Sequence, residues 1–511
     1  AAMEIVSFKA ANGEQPERVE ELISHTRLVT RELSLGQHRL QGMRTKGTQH
    51  RRQSQRNCCD RHRLLRLVHL TLRLASTHLQ RDTHRMINKS WLGTLCPLVL
   101  ALLPLGSVSA AEISADEALR RADRVLRDSI LVDGHNDLPI TIREYKAAPF
   151  DVDAYDLRKP TPGDTDLARL RAGRLGAQFW SVYIPGEGRG PFARPQLDQI
   201  DIAHRIIERY PEAFQLATSV ADVRKAKRRG RIASMLGMEG GYGLENSIGA
   251  LRTYYALGVR YMALTHNAHT DWADAAAPLQ PRHNGLTPFG EEVVREMNRL
   301  GMLVDLSHAS PKTMADTLRI TQAPVIFSHS SARALCDVPR NVPDDILREL
   351  PRNGGVVMVT FVSSFINCEV GKVLQPAMAA IGLQARAAAT PAEAARIRAD
   401  GYAAIKLPPT PLAMVADHIE HIRNVAGIDH VGIGGDFDGN DWWPEGLDDV
   451  STYPKLFAEL VRRGWTDEEL RKLAGENVLR AWSQTEKVAA RLQRERRPSA
   501  MQFSAPAPQS P

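Results

Sequence analysis

Ile130-Leu131-Val132-Asp133-Gly134-His135-Asn136-Asp137 is a short apolar run ending in an imidazole and a carboxylate two residues apart. Side chains alternate faces along an extended chain, so positions i and i+2 point the same way. His135 and Asp137 can therefore share one cation. Two groups do not close a metal site, so at least one more ligand must arrive from elsewhere in the chain.

Outward from that stretch, apolar runs of about four to eight residues recur between helical segments, and several end in a residue able to bind a metal or move a proton. Ile232 to Met238 leads into Glu239-Gly240-Gly241, and Val259 to Thr265 into His266. Met302 to Ser307, with Asp305 as its one charged residue, leads into His308, and Pro324 to Ser328 into His329. Val431 to Gly435 delivers Asp436. Adding Ile130 to Asp133, Gly176 to Ile184 and Gly355 to Phe361 gives about eight strands, the number a (β/α)8 barrel requires. Leu244 to Leu257, Pro288 to Leu300 and Met414 to Val425 carry apolar residues at three and four spacing, which predicts helices between the strands. The expected class is α/β, a (β/α)8 TIM-type barrel. Every strand of such a barrel ends on one face, so residues distant in sequence converge on one mouth.

The ends of the chain read differently. Residues 1–85 hold about 16 Lys and Arg against about 8 Asp and Glu, so the net charge of +7 and the basic pI belong to the head rather than the barrel. A nucleic-acid-binding arm is one reading of that head. The better one starts at Met86, where Met-Ile-Asn-Lys-Ser precedes an apolar stretch from Trp91 to Leu105 and then Gly-Ser-Val-Ser-Ala-Ala. That is the layout of a signal peptide, expected to be cleaved after Ala110, and it makes 1–85 a non-native upstream extension. The expected divisions are this disordered extension, a signal peptide over 86–110, a barrel domain over 111–490 and a polar, Pro-rich, disordered tail over 491–511. No stable membrane anchor and no nucleic-acid partner are expected, and the mature protein should be exported, periplasmic or secreted.

The mature region of about 400 residues exceeds the usual barrel of about 250, which predicts insertions. Glu369 to Pro409 is one, Ala-rich and helical in pattern, following the seventh strand and expected to stand over the mouth. Cys336 and Cys368 are an even pair that an oxidising compartment could join, or two buried thiols. Gly432 to Gly439 is neither a dinucleotide loop, since Phe437 stands at the third glycine, nor an EF-hand, since Asp441 stands at the loop glycine. His269, Asp271, Asp274 and Asp438 are open between partners of the site and plain loop polarity.

Seven stretches taken in order carry a family resemblance: Asp133 to Pro139, Glu239-Gly240-Gly241, Leu264 to Asn267, Asp305 to His308, Phe327 to Ala332, Arg340 to Asp345 and Gly432 to Gly439. From about Ala115 to Ser483 the chain resembles the membrane (renal-type) dipeptidases and their bacterial relatives. The resemblance implies two zinc ions, with His135 and Asp137 on one, His308 and His329 on the other, and Glu239 bridging. It further implies that His266 contacts the scissile carbonyl, that Arg340 binds the free carboxylate of a dipeptide, and that Asp436 handles protons. A surface or helix-capping charge near Asp344 and Asp345 is the plainer reading of Arg340. The resemblance implies the Cys336–Cys368 disulfide as well, and a homodimer is compatible with it. Tyr242 departs from the His that relatives often carry there, and the 369–409 insertion is absent from the renal-type members. The competing function is another binuclear metal amidohydrolase or lactamase, acting on a different small amide or ester and having no need of Arg340.

Overall fold

The computed structural model describes residues 113–186 and 190–504. The signal peptide and upstream extension expected before residue 111 lie outside the described residues. Among the described residues there are nine strands: β1 (Leu131–Asn136), β2 (Leu175–Ser181), β3 (Phe214–Leu216), β4 (Ile232–Met238), β5 (Val259–Ala263), β6 (Leu303–Asp305), β7 (Val325–Phe327), β8 (Val356–Val359) and β9 (Val431–Ile433). All pairings are parallel, and the ring closes through β1–β2, β2–β4, β4–β5 and onward to β9–β1. This is the expected eight-stranded (β/α)8 barrel. β3 is an addition that pairs only with the first half of β4, Phe214 opposite Ile232 and Leu216 opposite Ser234. Its middle residue is Gln215 and it spans three residues, too short and too polar to announce a strand.

The eight barrel strands are buried along their whole length. Parallel strands covered on both faces are mostly apolar, which is why they read as near-continuous runs. Inside the ring Val132, Phe179, Met235, Tyr261, Ile326 and Met358 meet, and Trp482 of the last helix joins the same cluster. Gly237 makes one such contact possible, because a Cβ there would sit 2.0 Å from the Tyr261 ring. Layers of side chains fill the interior, so the barrel is a core with chemistry on its rim.

The helix Pro288–Leu300 keeps its expected bounds for local reasons. The Thr287 hydroxyl accepts the amide of Gly290, Pro288 is pre-set for the first turn, and Gly301 takes φ +87° at the end. The expected insertion is a pair of helices, Cys368–Arg386 and Pro391–Ala403, after the seventh barrel strand, β8. Cys336 and Cys368 form a disulfide.

The tail departs from expectation. The last helix runs Asn477–Glu495, through the boundary set at 490. Beyond it Ser499 exchanges bonds with Arg252 and Glu296, and the Phe503 ring packs edge-on against Phe289 at 5.3 Å. Composition suggested disorder from 491, but the Phe503 ring and the two backbone bonds of Ser499 fix 496–504 to the helices Pro288–Leu300 and Ile248–Ala256. Among the described residues no helix is long and apolar enough to cross a membrane.

Candidate active site

The ends of β1, β4, β6, β7 and β9 bring the expected groups together. His135 Nε2 lies 3.2 Å from Asp137 Oδ2 and 3.4 Å from Glu239 Oε2. The other Glu239 oxygen, Oε1, lies 3.0 Å from His308 Nε2 and 3.2 Å from His329 Nε2. His308 Nε2 and His329 Nε2 are 3.0 Å apart. His135, Asp137 and Glu239 form one set able to hold a metal, and Glu239, His308 and His329 a second, with donor atoms in each within 4.8 Å. All five residues are buried.

Imidazole tautomers test whether these groups suit cations. Tyr261 Oη donates to the Gly134 carbonyl, so its contact of 2.8 Å with His135 must be received from Nδ1–H. Ser328 Oγ donates to Asp305, so its contact of 2.9 Å with His329 must likewise be received from Nδ1–H. In its neutral form each imidazole then carries its lone pair on Nε2, aimed into the cluster, as metal ligands require. His135 Nε2 and Asp137 Oδ1 are buried without a hydrogen-bond partner. Buried lone pairs with nothing to accept are costly, and a cation relieves that cost.

Electrostatics agree. Burial, with the charges of Arg340 and His266, pushes His308 well below its ordinary pKa, and burial, with the charge of His135, does the same to His329. Burial alone would raise Glu239, yet His135 and bonds from all three imidazoles hold its carboxyl well below the usual range. The anionic bridge and the neutral His308 and His329 are the forms that bind a divalent ion; against the effect of burial, Tyr261, Glu239 and Asp137 hold His135 well above its ordinary pKa, so an ion bound there would displace a proton. Burial pushes Asp436 well up, with Asp137 and Glu239 adding to the shift. Asp436 Oδ1 stands 3.8 Å from His135 Nε2. His308 and Asp436 both take left-handed backbone, φ +66° and +70°, uncommon for residues other than glycine and a form of strain that gathers at functional positions.

His266 and Arg340 line the same cavity of about 630 Å³, along with Asp436, Glu239, His308 and His329. The His266 ring lies 4.3 Å from the His308 ring and 4.8 Å from that of Tyr183. Tyr242, the departure noted in the sequence, holds the His266 loop: its hydroxyl accepts from the amides of His266 and Ala268 and donates to the Ala268 carbonyl. Arg340 is buried rather than a surface charge. Its guanidinium donates to the His329 carbonyl at 3.2 Å and to Ser330 Oγ at 3.4 Å, and lies 5.2 Å above the Phe365 ring. Burial lowers its pKa to about 10, which leaves it cationic at neutral pH, and its Nε has no partner.

Asp274 accepts from the amides of Arg282, His283 and Gly285 and faces His269, so these two organise a loop. Asp271 bonds Asn246 and Arg282 on the same loop. Asp438 lines the cavity and exchanges backbone bonds with Asp164. Sequence reasoning passed over Tyr261, Ser328 and Asp133. A tyrosine inside a strand reads as core, and only its inward position in the strand alternation could have flagged it.

The model of the family described as membrane dipeptidase (peptidase family M19) matches residues 119–496. Dipeptidase 3 of Mus musculus is 43% identical over 383 residues, covering 73% of this chain and 68% of that protein. Among solved structures, a probable dipeptidase, PvdM, of Pseudomonas aeruginosa superposes with TM-score 0.63 at 25% identity, covering 73% of this chain and all of the other. A metallo peptidase of Rhodobacter sphaeroides, liganded with a phosphinate mimic of L-Ala-D-Ala, gives TM-score 0.57 at 25% identity, covering 70% of this chain and all of the other. With its barrel, its clustered metal-binding groups and these relatives, the chain belongs to the membrane dipeptidase family, peptidase family M19, and is a metal-dependent dipeptidase.

Proposed function

We propose that the protein is an exported binuclear zinc enzyme that hydrolyses the peptide bond of free dipeptides. His135 and Asp137 would hold one ion, His308 and His329 the other, and Glu239 both. The observation that carries this reading is the division of Glu239, one oxygen towards His135 and the other towards His308 and His329. When bound, two such ions lower the pKa of a shared water from 15.7 towards about 7 and polarise the peptide carbonyl.

The chain's own groups complete the reaction. Arg340 presents a planar fork and an unpartnered Nε to the substrate's terminal carboxylate, which limits the enzyme to very short peptides. His266 donates to the carbonyl oxygen as negative charge develops there, a contact worth about 3 to 4 kcal/mol in the transition state. Asp436 accepts the proton of the attacking water and returns it to the departing amine. The low-dielectric surroundings that raise its pKa suit it to that exchange. Export is supported by the Cys336–Cys368 bridge, since such bonds persist in oxidising compartments.

The test pairs metal analysis with a dipeptide panel offered with free and amidated C-termini. Two equivalents of zinc and a steep loss of hydrolysis on amidation are expected. Indifference to amidation would overturn the role of Arg340 and favour another binuclear amidohydrolase or lactamase. Cell fractionation and N-terminal sequencing check export, with a mature start at Ala111 expected.

A further inference from the structure

We propose that the helical insertion builds an apolar subsite for the C-terminal side chain of the substrate, so that the enzyme selects dipeptides ending in a large apolar residue. The inference rests on the reading in which Arg340 holds the terminal carboxylate. In a dipeptide the C-terminal side chain branches from the carbon that bears that carboxylate. It must therefore lie beside the guanidinium. The group found there is the Phe365 ring, 5.2 Å below it.

Phe365 and Arg340 are fixed to one another. Asn341, next to Arg340, donates from Nδ2 to the Phe365 carbonyl at 2.8 Å, and the Cys336–Cys368 bond joins the two segments on either side. From Cys368 the first insertion helix begins, and Leu374 and Met378, one turn apart on it, line the same cavity as Arg340 and Phe365. Leu374 is buried, whereas Met378 keeps 38% of its surface open, an apolar side chain available to a ligand. Trp442 completes this wall, with the Tyr402 ring of the second insertion helix packed edge-on against it at 6.0 Å. Ile381 of the first helix packs against Gly401 of the second, which holds the pair together. An apolar wall beside a carboxylate-binding cation matches an amino acid whose side chain is a hydrocarbon. Met suits a surface that must meet several such shapes.

Selectivity of this kind is read as a ratio of kcat/KM values, which cancels differences in active fraction between preparations. For the zinc-loaded full chain, Ala-Leu over Ala-Gly should be about tenfold or more, and Ala-Leu should exceed its permuted partner Leu-Ala. In Met378→Gln, and separately in Leu374→Ala, the Ala-Leu to Ala-Gly ratio should fall at least about fivefold. Leu383→Gln, on the same helix but 67% exposed and outside the cavity lining, should keep the wild-type ratio. A ratio unmoved by both Met378→Gln and Leu374→Ala, or selectivity that follows the N-terminal residue, overturns the subsite alone. Failure to hydrolyse any free dipeptide overturns the proposed function and this inference with it.

Discussion

Two strand ends on the barrel rim use the same device, an aspartate that holds the exits of two adjacent strands, yet they pass its grip to different recipients. At β6 and β7, Asp305 accepts from the amides of Ser307 and Ser328 and from the Ser328 hydroxyl, which in turn receives His329 Nδ1–H. At β1 and β9, Asp133 accepts from the amides of His135 and Gly435 and from the Tyr453 hydroxyl. There the imidazole of His135 is oriented by Tyr261, which reaches up from inside the barrel. One half couples backbone and imidazole through a single carboxylate; the other separates the two tasks. Burial raises the pKa of both aspartates, and the donated bonds counter it. Damage should therefore spread differently from each.

The largest effect should come from the group both halves share. Glu239→Gln should cost about 10³-fold in kcat/KM and at least one metal equivalent, measured by kinetics and metal analysis. Full activity with two metals retained would show that the halves do not meet at Glu239. Next, Asp305→Ala and Asp133→Ala each strand three donors and should each cost about 3 kcal/mol in urea unfolding. A cost below about 1 kcal/mol at either position would break the symmetry claimed for the pair. Ser328→Ala and Tyr261→Phe should each weaken binding of a different ion about 10- to 100-fold in chelator competition. Loss of the same ion in both variants would refute the division of labour.

The smallest expected effect concerns the β6–β7 half. Buried His418 accepts from the Ala332 amide at Nδ1 and donates from Nε2 to the Ile366 carbonyl, clamping the loop beyond His329. Burial lowers its pKa to about 4. The folded protein then resists the proton that the unfolded chain takes up near 6.5, so this contribution is complete above about pH 6.5 and declines as pH falls towards 4. Between pH 7 and 5 the wild type should lose about 2 kcal/mol more than His418→Gln in urea unfolding. Equal losses would show that the clamp does not titrate.

Much of this was legible because a buried parallel strand cannot hide its composition. Runs such as Ile232 to Met238 are apolar but for Ser234, and the polar residue that ends such a run marks the rim. The structure gathers His135, Asp137, Glu239, His308 and His329 at those ends. The groups that orient them were not legible in the same way. Ser328 precedes His329 as an ordinary polar residue, and Tyr261 sits mid-strand as an ordinary aromatic; their roles follow from where their hydroxyl protons go, which only packing decides. The segment after residue 490 misled for the opposite reason. Its composition is that of a solvated arm, and a few specific contacts outweigh it.

That last arrangement bears on how the protein should be produced. Ser499 and Phe503 act as a strap across the helix that carries Phe289 and Glu296. A truncation at 490, which composition alone recommends, would expose Phe289 and deprive Glu296 of a backbone partner; affinity tags and fusion partners belong after residue 503.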